Sequence, residues 1–414
     1  MSAASPPPAR MITIDAARLL LADRIIPLSG DETVSLDASL GRLAATDIIS
    51  TIDLPRTHNA AVDGYGVSAK ILADDPSKAF KIVGAARAGH PFAGVIGDDE
   101  AIEIYTGAIM PDGPDCVAMH EDCNRKGQSV VIQKPIKAGS NMRPPGENLA
   151  KGEAVITKGQ RINAALIGQL AAAGYDRIDV QTPVKVGLLS TGDEIVEAGG
   201  ILESGQIYDS NRPMIRALLA DPLLSLSDHG IVQDKLAALT FAYEEALATH
   251  DVVISSGGAS DGIEDHTQAA MQAVGADCAF WRLAMKPGRP MAVGKKDNKL
   301  IFCLPGNPVA AFVCTKLLIM PLLTHLAGGV MTMPLKCIIP AGFRHKKAAG
   351  RAEYLRATIS DGINGQEIKL YGRKGAGVIS SLTGADGLVE IPLENAGVEM
   401  GMPLAFLPFA DRAL

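Results

Sequence analysis

The chain has 414 residues, of which 47% are apolar and 4% aromatic, and a formal net charge of −7. That length accommodates about two to four domains, and the apolar share is enough for sizeable cores. The acidic balance and scarce aromatics argue against a nucleic-acid footprint or a stacking surface for single strands.

The first residues, Ser2-Ala3-Ala4-Ser5-Pro6-Pro7-Pro8, read as a disordered lead-in. The apolar run that follows contains Asp15, Arg18, Asp23 and Arg24, so it does not read as a signal peptide. Its spacing predicts an amphipathic helix over 13–26. Residues 51–140 change character: β-prone pieces at 81–85, 101–105 and 129–133 alternate with Gly/Pro turns, which predicts a small β-rich unit. Helix returns over 163–173, with Gly174 placed to cap it.

From residue 184 the pattern is βαβ. Strand 184–190 enters the loop Thr191-Gly192-Asp193-Glu194, and a helix starts at Asn211 with Pro213 in its first turn. Strand 225–232 leads to helix 235–249. Strand 251–255 is continuous and β-branched, as expected of a parallel strand covered on both faces. It enters Ser256-Gly257-Gly258 before helix 266–274. Strand 299–304 enters Pro305-Gly306-Asn307-Pro308 before helix 309–326. That last apolar run is interrupted by Lys316 and Pro321, too early for a membrane span of about 20 residues. After Pro334 short strands and turns resume. The fold class is therefore multidomain α/β, with an open, mostly parallel sheet. The expected units are 1–50 with 141–182 (helical/mixed), 51–140 (inserted, β-rich), 183–331 (α/β) and 332–414 (C-terminal, β-barrel-like). The six cysteines form no C-x-x-C pair, and most sit in apolar runs. They read as reduced core residues of a cytoplasmic protein.

Open parallel sheets bind ligands outside the C-terminal ends of their strands, and the unusual residues collect there. Glycines permit close backbone approach, and the helix N-termini that follow offer free N–H groups, a combination suited to phosphate. Asp193, Glu194, Asp209, Asp234, Glu264 and Asp265 crowd the same edge. An all-oxygen donor set suits a hard cation such as Mg²⁺, although carboxylates here also serve as helix caps, Asp209 and Glu264 above all. In Met285-Lys286-Pro287-Gly288-Arg289-Pro290 two prolines stiffen a loop carrying two cations, which suits an oxyanion. A basic stretch follows from Arg344 to Lys374. Lys346 and Lys347 read as a solvated face, while turns at Gly350 and Gly375-Ala376-Gly377 could bring other members to the ligand.

Taken in order, these motifs resemble the molybdopterin molybdenumtransferase family, which includes the C-terminal domain of gephyrin. The resemblance rests on Thr191-Gly192-Asp193-Glu194, Gly205-Gln206-Ile207-Tyr208-Asp209-Ser210-Asn211, Gly257-Gly258-x-Ser260, Lys286-Pro287-Gly288-Arg289-Pro290 and Leu304-Pro305-Gly306-Asn307-Pro308. Upstream, Asp63-Gly64-Tyr65, Tyr105-Thr106-Gly107-Ala108 and Arg143-Pro144-Pro145-Gly146-Glu147 also have counterparts. The resemblance spans residues 12–410.

It implies an enzyme of molybdenum cofactor biosynthesis that inserts molybdate into adenylylated molybdopterin, with Mg²⁺ present and AMP released. It also implies a homodimer, with a molybdopterin adenylyltransferase and apo-molybdoenzymes as partners. Carried over by position, Asp63 and Thr106 would reach the partner subunit's site. Glu194, Asp234 and Asp265 would handle Mg²⁺ and the pyrophosphate. Gly192, Ser256, Gly257, Gly258, Ser260, Pro305, Gly306 and Asn307 would line the substrate. Lys286, Arg289 and Pro290, with Arg356 and Ser380 or Ser381, would hold molybdate, and Lys286 would balance charge in the transition state. The departures are Ala60, Val62, Gly66, Asn148, Asp261, Ile263, Arg282 and Ala310. Two alternatives stay open. One is an adenylyltransferase or related nucleotide-hydrolysing enzyme on the same α/β core, which would dispense with Asp63-Gly64-Tyr65 and the C-terminal β unit. The other is a non-catalytic scaffold, which could dispense with Lys286, Asp265 and Glu194.

Overall fold

The computed structural model describes residues 11–257, 266–362, 365–373 and 375–409. Helix α1 (Ile14–Ala22) starts at Thr13, whose hydroxyl accepts from Ala16 N at 3.2 Å. It stops short of the expected residue 26. Ile26 precedes Pro27, and a residue before proline is pushed out of the α region. Asn298 instead brackets Ile26, accepting from its N–H at 2.9 Å and donating to its carbonyl at 2.7 Å.

A six-stranded mixed sheet follows, formed by β1 (Gly64–Val67), β2 (Ala79–Ala86), β3 (Glu100–Ile104), β4 (Cys116–Met119), β5 (Cys123–Lys126) and β6 (Ser129–Ile132). The strand order is β4-β1-β3-β2-β6-β5, and only β2 and β3 pair in parallel. Tyr65, Phe80, Ala101 and Val130 fill one face. Helix α2 (Ala164–Ala172) is capped by Asn163, whose side chain accepts from Leu166 N, and ends before Gly174 at φ +91°. It packs Leu170 against Ile48, Val155, Ile156 and Val180 in a core drawn from both sides of the mixed sheet in sequence.

The central sheet contains β7 (Val184–Thr191), β8 (Leu224–Val232), β9 (Val252–Ser256), β10 (Asp277–Arg282), β11 (Pro290–Lys296) and β12 (Lys299–Leu304) in the order β8-β7-β9-β12-β11-β10. The first four in that order run parallel. The last two are antiparallel additions that the βαβ pattern does not announce. Helices α3 (Asn211–Leu218), α4 (Leu236–Thr249), α5 (Thr267–Ala273) and α6 (Pro308–Leu326) connect or cover it. Helix α6 loosens into a π turn at Thr315–Ile319. The buried Arg18 of α1 donates through Nε to the Leu317 carbonyl there at 2.6 Å. Most of α6 is buried in the main core with Ile14, Val186, Ile254 and Phe302.

Strand β7 has β8 on one side and β9 on the other, so the chain leaves β7 in one direction and returns in the other, and the switch point lies at the C-terminal ends of β7 and β9. A second antiparallel sheet forms from β13 (Cys337–Pro340), β14 (Ala352–Gly362), β15 (Gly365–Leu370), β16 (Gly387–Ile391) and β17 (Pro403–Pro408). Its edge is completed from the central unit. Met285–Lys286 pairs in parallel with the start of β14, aligning Lys286 with Glu353.

Candidate active site at the seam of two sheets

The switch point brings three loops together. Ser256 ends β9, and Gly257 turns away at φ +97°; a Cβ built there would lie 2.0 Å from the Thr191 carbonyl. Only glycine lets these backbones approach so closely. Gly257 N donates to Leu304 O at 3.1 Å, and Gly306 lies against the Gly257 Cα. Pro305 is buried, while Gly306 and Asn307 are exposed at the mouth. Gly192 has φ +149°, and the Glu194 carboxylate folds back within 2.7 Å of where its Cβ would be. Gly258, Ser260 and Asp265, like Asp261, Ile263 and Glu264, lie outside the described residues.

Among the carboxylates, Asp209 is a helix cap. Its Oδ1 accepts from Asn211 N at 3.1 Å and Arg212 N at 3.2 Å, satisfying donors that the helix start leaves free. Arg212 also gathers Asp228 at 2.8 Å and Glu197. That leaves Asp193, Glu194 and Asp234 facing the loops. Asp193 Oδ1 accepts from Asp234 N at 3.2 Å, joining the ends of β7 and β8. The donors are carboxylate oxygens, the chemistry a hard cation takes, but among the described residues no three His, Cys, Asp or Glu side chains group closely enough to hold a metal ion.

The second half of the site is a cavity of about 130 Å³ at the seam, lined among others by Lys286, Pro287, His345, Glu353, Arg356 and Arg373. Lys286 Nζ donates to Glu353 Oε1 at 3.1 Å, and His345 Nε2 lies 2.7 Å from Glu353 Oε2. Burial alone would raise the Glu353 carboxyl, but hydrogen bonds from His345 and Lys286, with the Lys286 charge, hold it below the usual carboxylate range. Arg356 is buried, and that burial lowers its pKa. Its Nε donates to Ser381 Oγ at 2.8 Å, and its Nη2 donates to the carbonyls of Arg373 at 3.1 Å and Gly375 at 3.2 Å. Of the two serine candidates, Ser381 is the one engaged; Ser380 is exposed. Arg289 is half-buried next to Pro290, and its buried Nε has no hydrogen-bond partner.

The two halves touch. Val309 N, in the first turn of α6, donates to Ala376 O at 3.0 Å, and Gly377 lies against Asn307 Oδ1. The turn that Arg356 anchors therefore closes over the Pro305–Pro308 loop. Lys347 is not a solvated member of the basic stretch: its Nζ donates to the carbonyls of Pro392 at 2.9 Å and Asn395 at 2.7 Å. Glu353 escaped sequence reasoning. The available signal was a lone carboxylate inside the basic run Arg351–Arg356.

Asp63 and Thr106 sit apart, between β1 and the end of β3. Thr106 N and Oγ1 each donate to Asp63 Oδ1 at 2.7 Å. The backbone bond first, then the hydroxyl, holds the exposed Asp63 carboxyl below its ordinary value. Among the described residues, no hydrogen bond or ion pair joins this pair to the switch point or the cavity.

Family models match three stretches of the chain: the MoeA N-terminal region (domain I and II) over residues 12–174, a probable molybdopterin binding domain over 187–325, and the MoeA C-terminal region (domain IV) over 339–409. A molybdopterin molybdenumtransferase from Haemophilus influenzae is 34% identical over 403 residues, covering 96% of this chain and 99% of its own. One from Staphylococcus aureus is 32% identical over 374 residues, 89% of each chain. The solved molybdopterin biosynthesis moeA protein of Pyrococcus horikosii aligns with a TM-score of 0.78 at 30% identity, covering 96% of this chain and 99% of the other. A second Pyrococcus horikoshii moeA structure aligns with a TM-score of 0.84 at 24% identity, a likeness of fold.

Proposed function

Because the chain belongs to the molybdopterin molybdenumtransferase family, and so to the transferases of molybdenum cofactor biosynthesis, we propose that it inserts molybdate into adenylylated molybdopterin and releases AMP. One observation carries this reading: the cavity holding Lys286 and Arg356 abuts the glycine-lined switch point through Val309 N and Ala376 O. A nucleotide-phosphate edge and an oxyanion pocket joined by touching loops suit a reaction that joins those two substrates.

In this reading the backbone around Gly192, Gly257 and Gly306 cradles the pyrophosphate. Glu194 and Asp234, with Asp265, would hold Mg²⁺. When bound, that ion supplies charge neutralisation at the phosphoanhydride. Lys286 and Arg356 hold the oxyanion, with Arg289, Pro290 and Ser381 shaping its surroundings. The Lys286 ammonium is the group placed to offset negative charge as the acid anhydride bond breaks. Among the described residues no hydrogen bond or ion pair links Asp63 and Thr106 to this site, and we infer that they complete the site of a partner subunit in a homodimer.

The test is to supply adenylylated molybdopterin, molybdate and Mg²⁺ and to measure AMP and molybdenum-loaded pterin. Stoichiometric release of both is expected. Consumption of ATP with free molybdopterin instead would reassign the chain to adenylyl transfer. A second test mixes inactive Asp63→Asn with inactive Lys286→Ala subunits. Recovery of activity supports sites shared between subunits, and none places Asp63 in its own subunit's site or outside the reaction.

A further inference from the structure

The segment Gly205 to Asn211 ends in a residue to which the reaction gives no role. Asn211 opens α3 with only 7% of its surface exposed. Its Nδ2 donates both to Ser256 Oγ and to Gly306 O, each at 2.8 Å. The Gly306 carbonyl can only accept, so the amide's orientation is fixed, and Asn211 Oδ1 is left buried without a partner. The Asp209 carboxylate holds the Asn211 backbone at 3.1 Å.

The parallel ladder between β9 and β12 ends at the pair Ser256 and Leu304. Beyond it the two loops diverge, and the side chain of Asn211 ties them. We propose that Asn211 is a positioning residue that fixes the Ser256–Gly257 turn against the Pro305–Asn307 loop, and so sets the affinity for adenylylated molybdopterin but not for molybdate. The inference rests on the reading that this edge holds the pyrophosphate. Without the two donors, Gly306 loses its buried partner and its backbone is free to move relative to Gly257. The Lys286–Glu353 and Arg356–Ser381 contacts stay intact.

The experiment is steady-state kinetics on purified full-length Asn211→Ala, Ser256→Ala and the double variant. Loss of two hydrogen bonds is expected to raise the KM for adenylylated molybdopterin, and the inhibition constant of AMP, about ten-fold. The KM for molybdate should stay within about two-fold, because the side-chain hydrogen bonds of Lys286 and Arg356 go to Glu353, Ser381, Arg373 and Gly375 and not to the loops that Asn211 ties. Asn211→Ser, which keeps one donor, should fall between. The double variant should be less impaired than the product of the singles, because both remove one shared contact. An unchanged KM for adenylylated molybdopterin in folded Asn211→Ala, or an equal rise for both substrates, overturns the inference. Where the alanine variant does not fold, the same split is read on Asn211→Ser. Wild-type protein that neither binds AMP nor turns over would sink the underlying reading instead.

Discussion

The proposed site has two unlike halves: at the switch point Gly257, Gly306 and Gly192 present backbone, and at the seam Lys286, Glu353 and Arg356 present side chains. The first surface depends on the absence of Cβ atoms and on where parallel strands end. The second depends on a two-residue strand, Met285–Lys286, lying beside β14 so that a cation from one sheet meets a carboxylate of the other. At Gly257 and Gly192 the backbone site tolerates no added bulk, whereas a side-chain site tolerates bulk and fails on lost charge. Substitutions should therefore separate the two cleanly.

The largest effect is expected at Gly257. Gly257→Ala places a Cβ 2.0 Å from the Thr191 carbonyl, at a φ of +97°. The strained backbone costs about 1–3 kcal/mol, and relief of the clash opens the cradle. AMP release should fall below detection, with a lower urea midpoint. Full turnover would show that close backbone approach is dispensable, and the comparison would collapse. Next comes Lys286→Ala, expected to lower kcat by about 10²–10³-fold, as for loss of one preorganised oxyanion donor. The KM for adenylylated molybdopterin should hold. If that KM rises while kcat stays, Lys286 belongs to the nucleotide half.

The same contrast explains what the sequence disclosed. Glycine loops after β-branched strands are contiguous motifs, so the parallel core and the loops at its C-terminal edge were legible from Val184 to Pro308. The seam was not. Lys286 meets Glu353 and Arg356 meets Ser381 only because sheets pack, and no local pattern encodes that packing. Strands β10 and β11 were invisible for a related reason: they extend the sheet antiparallel, without the intervening helix that signals a crossover. Asp209 was legible for a local reason: within the crowded acidic edge it was one of the two carboxylates most expected to cap a helix, and its register before α3 makes it one.

A smaller effect is expected at Arg356→Lys. The charge survives, but the planar fork to Ser381, Arg373 and Gly375 does not. Orphaned carbonyls should cost about 1–3 kcal/mol in chemical denaturation, and the KM for molybdate should rise more than that for the nucleotide substrate. Equal rises would mean that the 373–377 turn serves both halves through its contact with Val309.

The smallest effect belongs to the pair outside both halves. Thr106→Val removes one of the two donors to Asp63 and keeps the backbone N–H. The Asp63 carboxyl, now held low, should move up toward its ordinary value. Because a depressed carboxyl keeps its charge until pH falls through its own pKa, raising that pKa makes the charge disappear at higher pH. If the Asp63 anion takes part in turnover, the acid limb of the kcat/KM profile should therefore shift to higher pH, with the neutral plateau nearly unchanged. An acid limb that stays in place would reduce Asp63 to an organiser of the turn after β3.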